Sequence, residues 1–247
     1  MVSCFKALMA ATAATFVMSG AAQAGLVNRG GGMIYDTTLN ITWLYDWNYA
    51  KTSNYDADGF MTWTSANDWA NNLVFGGFSD WRLPTVAQPD ATCSGHATML
   101  SFGEHDFGFN CTGGEMGHLF YTDLGGEAWQ SVLDPTGDTA QEIANRQLFV
   151  NVNVYDHWSG TELAPNSGYA WVFSFYTGNQ FVASERGELF RALAVRPGDV
   201  VAAPLVSPLV PGPGQVPEPS SLLLVGVALG GVAINRRRSL KPSRSPG

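Results

Sequence analysis

Two short stretches place a histidine beside a carboxylate, the minimal unit for moving a proton. His118 follows Glu115 by three positions in "EMGHLFY", and His157 directly follows Asp156 in "YDHWSG". They would form a working dyad only if the fold joined them; the alternative is a structural histidine beside an aromatic strand. No G-x-S-x-G, H-E-x-x-H or P-loop pattern occurs, so no known catalytic frame supports either stretch. A third stretch, "NYDADG", spaces Asn54, Asp56 and Asp58 alternately before Gly59, as in the opening of a calcium loop. Ser65 stands where an EF-hand needs its glutamate. Asp46, Asp68 or loop carbonyls would have to complete a calcium cage. The competing reading is a polar turn whose Asn and Asp serve local hydrogen bonds.

Cysteine adds a different chemistry. Cys4 lies in the first segment, which leaves Cys93 and Cys111 for the body. In an oxidising compartment a lone pair reads as one disulfide. The rival role, soft-metal ligands, would need further partners. His96, His105 and His118 are near in sequence, yet no compact C-x-x-C spacing is present.

The elements that must position these residues follow from periodicity. "MIYDTTLNITWLYD" predicts strands at Met33–Asp36 and Ile41–Tyr45 around a turn at Asp36–Asn40. "TWTSANDWANNL" puts Trp63, Ala66, Trp69, Ala70 and Leu73 on one helical stripe, with Thr62 as N-cap and Gly76–Gly77 as the stop. A second helix is expected over Glu115–Leu124, burying Met116, Leu119 and Phe120. After Phe149 the pattern turns to strands, in "YDHWSGTE", "YAWVFSFYT", "NQFVAS" and "ELFRALAVRPG". Trp171, Phe173 and Phe175 share one strand face, and Gly178–Asn179 makes the next turn. The expected class is α+β: one compact domain over residues 25–199, with two helices, short antiparallel strands and long loops.

The ends of the chain concern delivery. Met1–Ala24 has an early Lys6, an apolar run and the small residues "AAQA". That is the layout of a secretory signal peptide cut after Ala24; a buried N-terminal helix is the alternative. Residues 200–215 are a Pro/Gly-rich linker. Residues 216–239 then read "VPEPSSLLLVGVALGGVAINRRRS", and a basic tail fills 240–247. The apolar run Leu222–Ile234 would make a helix of about 20 Å against a hydrocarbon core of about 30 Å. It is a marginal C-terminal transmembrane helix, with Arg236, Arg237 and Arg238 staying on the cytoplasmic side.

Charge bounds the partners. Residues 25–199 carry every acidic residue of the chain except Glu218, 20 in all, against 7 basic ones, a formal charge of −13. Such a field repels nucleic acid and anionic polysaccharide and favours cations and neutral ligands.

Pro217, Glu218 and Pro219, then a short apolar helix, then an arginine cluster, resemble a PEP-CTERM sorting signal. The resemblance implies export, transient insertion in the inner membrane of a Gram-negative bacterium, and processing by signal peptidase and an exosortase. Delivery to the cell surface or extracellular matrix would come next. In the body, "GGFSDWRLPT", "HWSGTELAP", "ALAVRPG", "ITWLYDWNYA", "MTWTSANDWANNL" and "EMGHLFY" resemble the Lcl C-terminal domain family. "DWRLPT" is also similar to a turn of the formylglycine-generating sulfatase-modifying factors, which implies a C-type-lectin-like architecture whose first and last strands pair. Those enzymes rely on a late cysteine pair, and this chain has no cysteine after Cys111.

Within Asp80-Trp81-Arg82-Leu83-Pro84-Thr85 the expectation is structural. Trp81 and Leu83 point inward, Pro84 fixes the chain and Thr85 caps the next segment. Arg82 pairs with Asp80 or Asp68, or bonds loop carbonyls. The functional expectation is a non-catalytic surface or matrix module that takes a neutral glycan or a surface protein, with no resident cofactor unless calcium binds. Trp43, Trp47, Tyr49, Tyr55, Trp129 and Trp158 are the aromatics expected near its loops. The alternatives are an exopolysaccharide enzyme using paired carboxylates such as Glu115 and Asp156, or a purely structural matrix component.

Overall fold

The computed structural model describes residues 25–99, 103–165 and 168–200. The expected signal peptide, the linker beyond residue 200, the PEP-CTERM segment with its transmembrane helix, and the basic tail lie outside the described residues. Among the described residues no helix is long and apolar enough to cross a membrane.

The chain opens as a meander of β1 (Leu26–Gly30), β2 (Met33–Asp36) and β3 (Ile41–Leu44), paired antiparallel in that order. The Asp36 carboxylate makes the predicted turn by accepting the amides of Thr38 and Leu39, each at 2.9 Å. Asn40 closes it at φ 53°, a left-handed conformation that asparagine tolerates.

Two short helices come next, α1 (Tyr49–Thr52) and α2 (Trp63–Asn71). In α2 the Thr62 side chain accepts the Ser65 amide as an N-cap, and the stripe Ala66, Trp69 and Ala70 is buried. The helix ends at Asn71, with Asn72 as its C-cap, several residues before the glycines expected to stop it. A hairpin of β4 (Gly95–Met99) and β5 (Gly103–Phe107) succeeds it. Beyond the hairpin lie α3 (Glu115–His118), a π-helical turn over Leu119–Asp123, and α4 (Ala140–Arg146).

The expectation of two helices therefore needs correcting. The second is a single α-turn running into a π-turn, and α1 and α4 are additional. Gly117 explains why α3 can form where it does. A Cβ there would lie 1.7 Å from the Cys111 carbonyl oxygen, so only glycine lets the helix approach the preceding loop.

The second half supplies β6 (Asp156–Glu162), β7 (Tyr169–Ser174), β8 (Gln180–Ser184), β9 (Arg191–Ala192) and β10 (Val195–Pro197). They split between two sheets. One has the order β8-β7-β6-β9, with β6 and β9 parallel; β10 instead joins the opening meander as β1-β2-β3-β10.

The first and last strands thus share a sheet without pairing, contrary to the lectin-like expectation. All four residues of β3 are buried, whereas three of the five in β1 are exposed. A buried strand must satisfy both rows of backbone groups, while an exposed one can remain an edge. β10 goes where the need is greater.

The sheets enclose apolar clusters on two sides of β7. Trp171, Phe173 and Phe175 face one cluster with Ile34, Trp43, Trp47, Phe120 and Val195. Ala170 and Val172 face the other, with Trp69, Trp81, Leu83 and Trp158. A strand buried on both faces reads as a continuous apolar run, as "YAWVFSF" does.

Candidate functional site

The "SDWRLPT" stretch lies at the seam between these layers. Trp81 and Leu83 are both 2% exposed, and the indole Nε1–H of Trp81 donates to the Phe75 carbonyl at 3.2 Å. Arg82 exchanges backbone hydrogen bonds with Val195 at 2.8 and 2.9 Å, which fixes this segment beside β10. Its guanidinium pairs with neither Asp80 nor Asp68. It donates to both carboxylate oxygens of Glu115, at 2.8 and 2.6 Å, and to the Leu83 carbonyl at 3.0 Å. The bond to Glu115 holds the arginine pKa above its ordinary value.

Glu115 Oε2 also accepts the Thr85 amide at 2.7 Å. The Thr85 amide is thus claimed by the first residue of α3, and its carbonyl accepts the Met116 amide of that helix at 3.4 Å. Asp80 has a different partner, a two-pronged bond from Arg196 at 2.8 and 2.9 Å, which lowers its pKa. Arg196 also lies 4.1 Å from the Phe78 ring centroid. The motif is a double clamp, and its partners lie 33 and 116 residues away. Separations of that size hide the pairing from any local reading of the sequence.

In the "NYDADG" loop the carboxylates are engaged locally. Asp56 Oδ1 accepts the amides of Asp58 and Gly59, and Asp58 Oδ1 accepts that of Phe60. The Phe60 amide bond is the main reason the Asp58 carboxyl sits below its usual pKa. Asn54 is exposed and takes φ 60°. Asp46 is used elsewhere, accepting from Asn48, Asn151 and Thr52. Beside the loop, Arg191 stacks between Phe60 and Tyr155, 4.4 and 4.5 Å from their centroids. It also donates to Asn48. A fixed guanidinium here opposes a second cation.

The two candidate histidine–carboxylate pairs do not assemble as dyads. Glu115 is committed to Arg82, and the carboxylate near His118 is Asp123, at 3.7 Å. His157 is wholly enclosed; its Nδ1–H donates to the Tyr155 carbonyl at 2.9 Å. Burial drives its pKa down to about 3. Burial also raises the pKa of Asp156.

Of the aromatics expected at loops, Trp43, Trp47 and Trp158 are core residues and Tyr49 packs against the core; Tyr55 and Trp129 are exposed. Sequence reading missed a different aromatic assembly. A cavity of about 420 Å³ is lined by His105, Phe107, Leu163, Tyr169, Trp171, Phe181 and Val182. Strands β7 and β8 form its floor, and β5 contributes a wall.

The His105 ring stands edge-on to Trp171 at 5.9 Å, and its Nε2 is buried with no partner among the described residues. A shallower depression of about 290 Å³ adjoins through the same histidine, lined also by His96, Thr98, Glu104 and Asp106. There Asp106 Oδ1 lies 2.6 Å from His96 Nδ1, and this bond keeps the Asp106 pKa low. Stacking surface and polar groups thus meet at His105.

The disulfide Cys93–Cys111 closes the loop that carries β4 and β5, so it staples the base of the wall. At the same end, Gly108 and Gln180 exchange backbone hydrogen bonds at 2.8 and 2.7 Å, fastening the hairpin to β8. The alternating "GHATM…GEHDF" was a usable strand signal, but its polar composition masked it.

Comparison with known proteins gives two family matches. The Lcl C-terminal domain matches residues 32–196, and the PEP-CTERM protein-sorting motif matches residues 215–238. No curated protein and no solved structure matches.

Proposed function

Because the chain belongs to the Lcl C-terminal domain family and ends in a PEP-CTERM sorting motif that marks it for exosortase-directed export, we propose that its body is a non-catalytic binding module of the cell surface or extracellular matrix. Its ligand is a neutral glycan, stacked by one sugar face in the aromatic cavity.

The observation that carries this reading is the cavity itself. Phe107, Tyr169, Trp171 and Phe181 offer flat apolar surface around one unpartnered imidazole nitrogen. Rings of this kind pack on the apolar face of a sugar, while a few polar groups fix its orientation. Charge favours neutrality. Of the seven basic residues in the body, Arg29, Arg82, Arg146 and Arg196 are held in ion pairs, and Arg191 is stacked. Little positive charge remains to attract an anionic polymer.

The non-catalytic reading is supported by the state of the candidate acids and bases. His157 is enclosed, and Glu115 is tied to Arg82. The sorting route includes a transient hold in the inner membrane through Leu222–Ile234 before release.

A glycan array probed with the processed protein, with and without calcium, tests the reading. Neutral glycans should be retained without being cleaved. Phe107→Ala and Tyr169→Ala, at residues 36% and 37% exposed, should each weaken retention about tenfold without unfolding the domain. Equal retention by both variants would remove the cavity from consideration. A calcium requirement would point back to Asn54, Asp56 and Asp58.

A further inference from the structure

Three buried polar atoms, one from β2 and two from the segment of α3 and the π-turn, converge without hydrogen-bond partners. Asp36 ends β2 and is fully buried. Its Oδ1 is used by the turn amides, and its Oδ2 has no hydrogen-bond partner. Asp123 ends the π-turn at 4% exposure with Oδ2 unpartnered, and His118 ends α3 with Nε2 unpartnered. One ligand atom from each residue lies within 4.8 Å of the others.

Buried carboxylate oxygens left unpaired are costly, and two together more so. The backbone is bent to make this meeting possible. His118 and Asp123 are five residues apart, a spacing that an α-helix turns to different faces. The π-turn stacks position i+5 over i, and its Leu124 amide bonds the Leu119 carbonyl at 3.0 Å. Asn145 of α4 then braces the turn by donating to the Asp123 carbonyl at 2.8 Å.

We propose that Asp36 Oδ2, His118 Nε2 and Asp123 Oδ2 bind one divalent transition-metal ion of the Zn²⁺ or Mn²⁺ class. One imidazole nitrogen and two carboxylate oxygens suit such an ion. Calcium, which takes six to eight oxygens, is a poor match. The ion neutralises the paired carboxylates and fastens the opening meander to the helical segment. Its role is structural, because both carboxylates are sealed from solvent. The site is separate from the aromatic cavity and does not depend on the glycan reading.

The test uses the processed wild-type protein. Purified without chelator, it should retain close to one equivalent of zinc or manganese per chain by elemental analysis. Its melting temperature should fall after chelator treatment and recover with Zn²⁺ or Mn²⁺ but not with Ca²⁺. Asp123→Asn keeps the shape of the carboxyl, and its amide can hydrogen-bond Asp36. It should therefore fold and melt no lower than chelator-treated wild type. Its metal affinity should nevertheless fall by at least about tenfold, since even groups behind a ligand cost that much. Absence of retained metal together with no melting shift on titrating wild type with Zn²⁺ or Mn²⁺ would overturn the proposal. So would wild-type affinity in Asp123→Asn, or an equal response to Ca²⁺.

Discussion

His157 should make the body sensitive to acid. Its ring is enclosed by Trp47 and Phe175, edge-on at 5.9 and 5.1 Å. The charged group facing it is Arg191, its register partner on β9. Burial is the first cause of its low pKa and the field of Arg191 adds to it; the bond to the Tyr155 carbonyl only partly offsets them. The folded pKa is therefore about 3, against about 6.5 for an unfolded histidine.

A histidine depressed in the folded state stabilises fully above the unfolded pKa. That contribution is lost as the pH falls from about 6.5 toward 3, because only the unfolded chain takes up the proton. At about 1.4 kcal/mol per pH unit, acidification to pH 5 should cost about 2 kcal/mol from this residue alone. Urea unfolding of wild type and His157→Gln at pH 7 and pH 5 isolates the effect, since every other residue is the same in both proteins. Wild type should lose about 2 kcal/mol more than the variant, whatever their offset at pH 7. Parallel losses, or an NMR titration of His157 near its ordinary pKa, would refute the reasoning.

The clamps and the staple offer further checks. Trp81→Ala should cost about 3–5 kcal/mol by chemical denaturation, whereas a change under about 1 kcal/mol would place the indole outside the core. A double-mutant cycle on Arg82 and Glu115 should give a coupling of about 1–2 kcal/mol, because the pair is two-pronged but partly exposed. Reducing the Cys93–Cys111 bond should cost about 3 kcal/mol in the chain-entropy account. It should also loosen the hairpin wall, so glycan retention should weaken more than the loss of stability predicts. Replacing Pro217, Glu218 and Pro219 with alanines should leave the protein held in the inner membrane, as cell fractionation would reveal.

Local pattern alone decides the parts of the fold that were legible in the sequence. The β2–β3 turn, α2 with its Thr62 cap and the late strands all come from spacing over a few residues. The α4 helix was equally legible, since Thr139 and Glu142 form a capping box, but its apolar stripe is too short to stand out. Partners set by the fold were not legible. Nothing in "DWRLPT" says that Arg82 meets Glu115, or that Asp80 meets Arg196 across 116 residues. The π-turn was invisible because its cause is tertiary. An apolar pattern specifies that Leu119 and Phe120 are buried, not that the ladder shifts register to bring Asp123 over His118. The aromatic cavity was hidden for a similar reason, as its rings come from three separate strands.

Closure of the body explains how a core and an address can share one chain without conflict. The last strand is held on β3, and the Gly198 amide bonds the Asn40 carbonyl at 2.8 Å. Thr42 donates to the Gly198 carbonyl at 2.7 Å, and Arg29 grips Asp199, with its Nε–H donating at 2.8 Å. Val200 is still buried, at 3% exposure. Among the described residues, the contacts of the first sheet with the C-terminal strand end at Val200, about 15 residues before the sorting motif begins at residue 215. An enzyme acting on that motif need not disturb β10, because the strand is locked on its sheet side by β3 and on its other side by the Arg82 backbone. A chain cut after Val201 should then melt at the same temperature as the full-length protein. A cut after Asp199 should melt lower, since it removes a buried valine. If the two truncations melt alike, closure ends at the Arg29–Asp199 pair and Val200 contributes nothing to it.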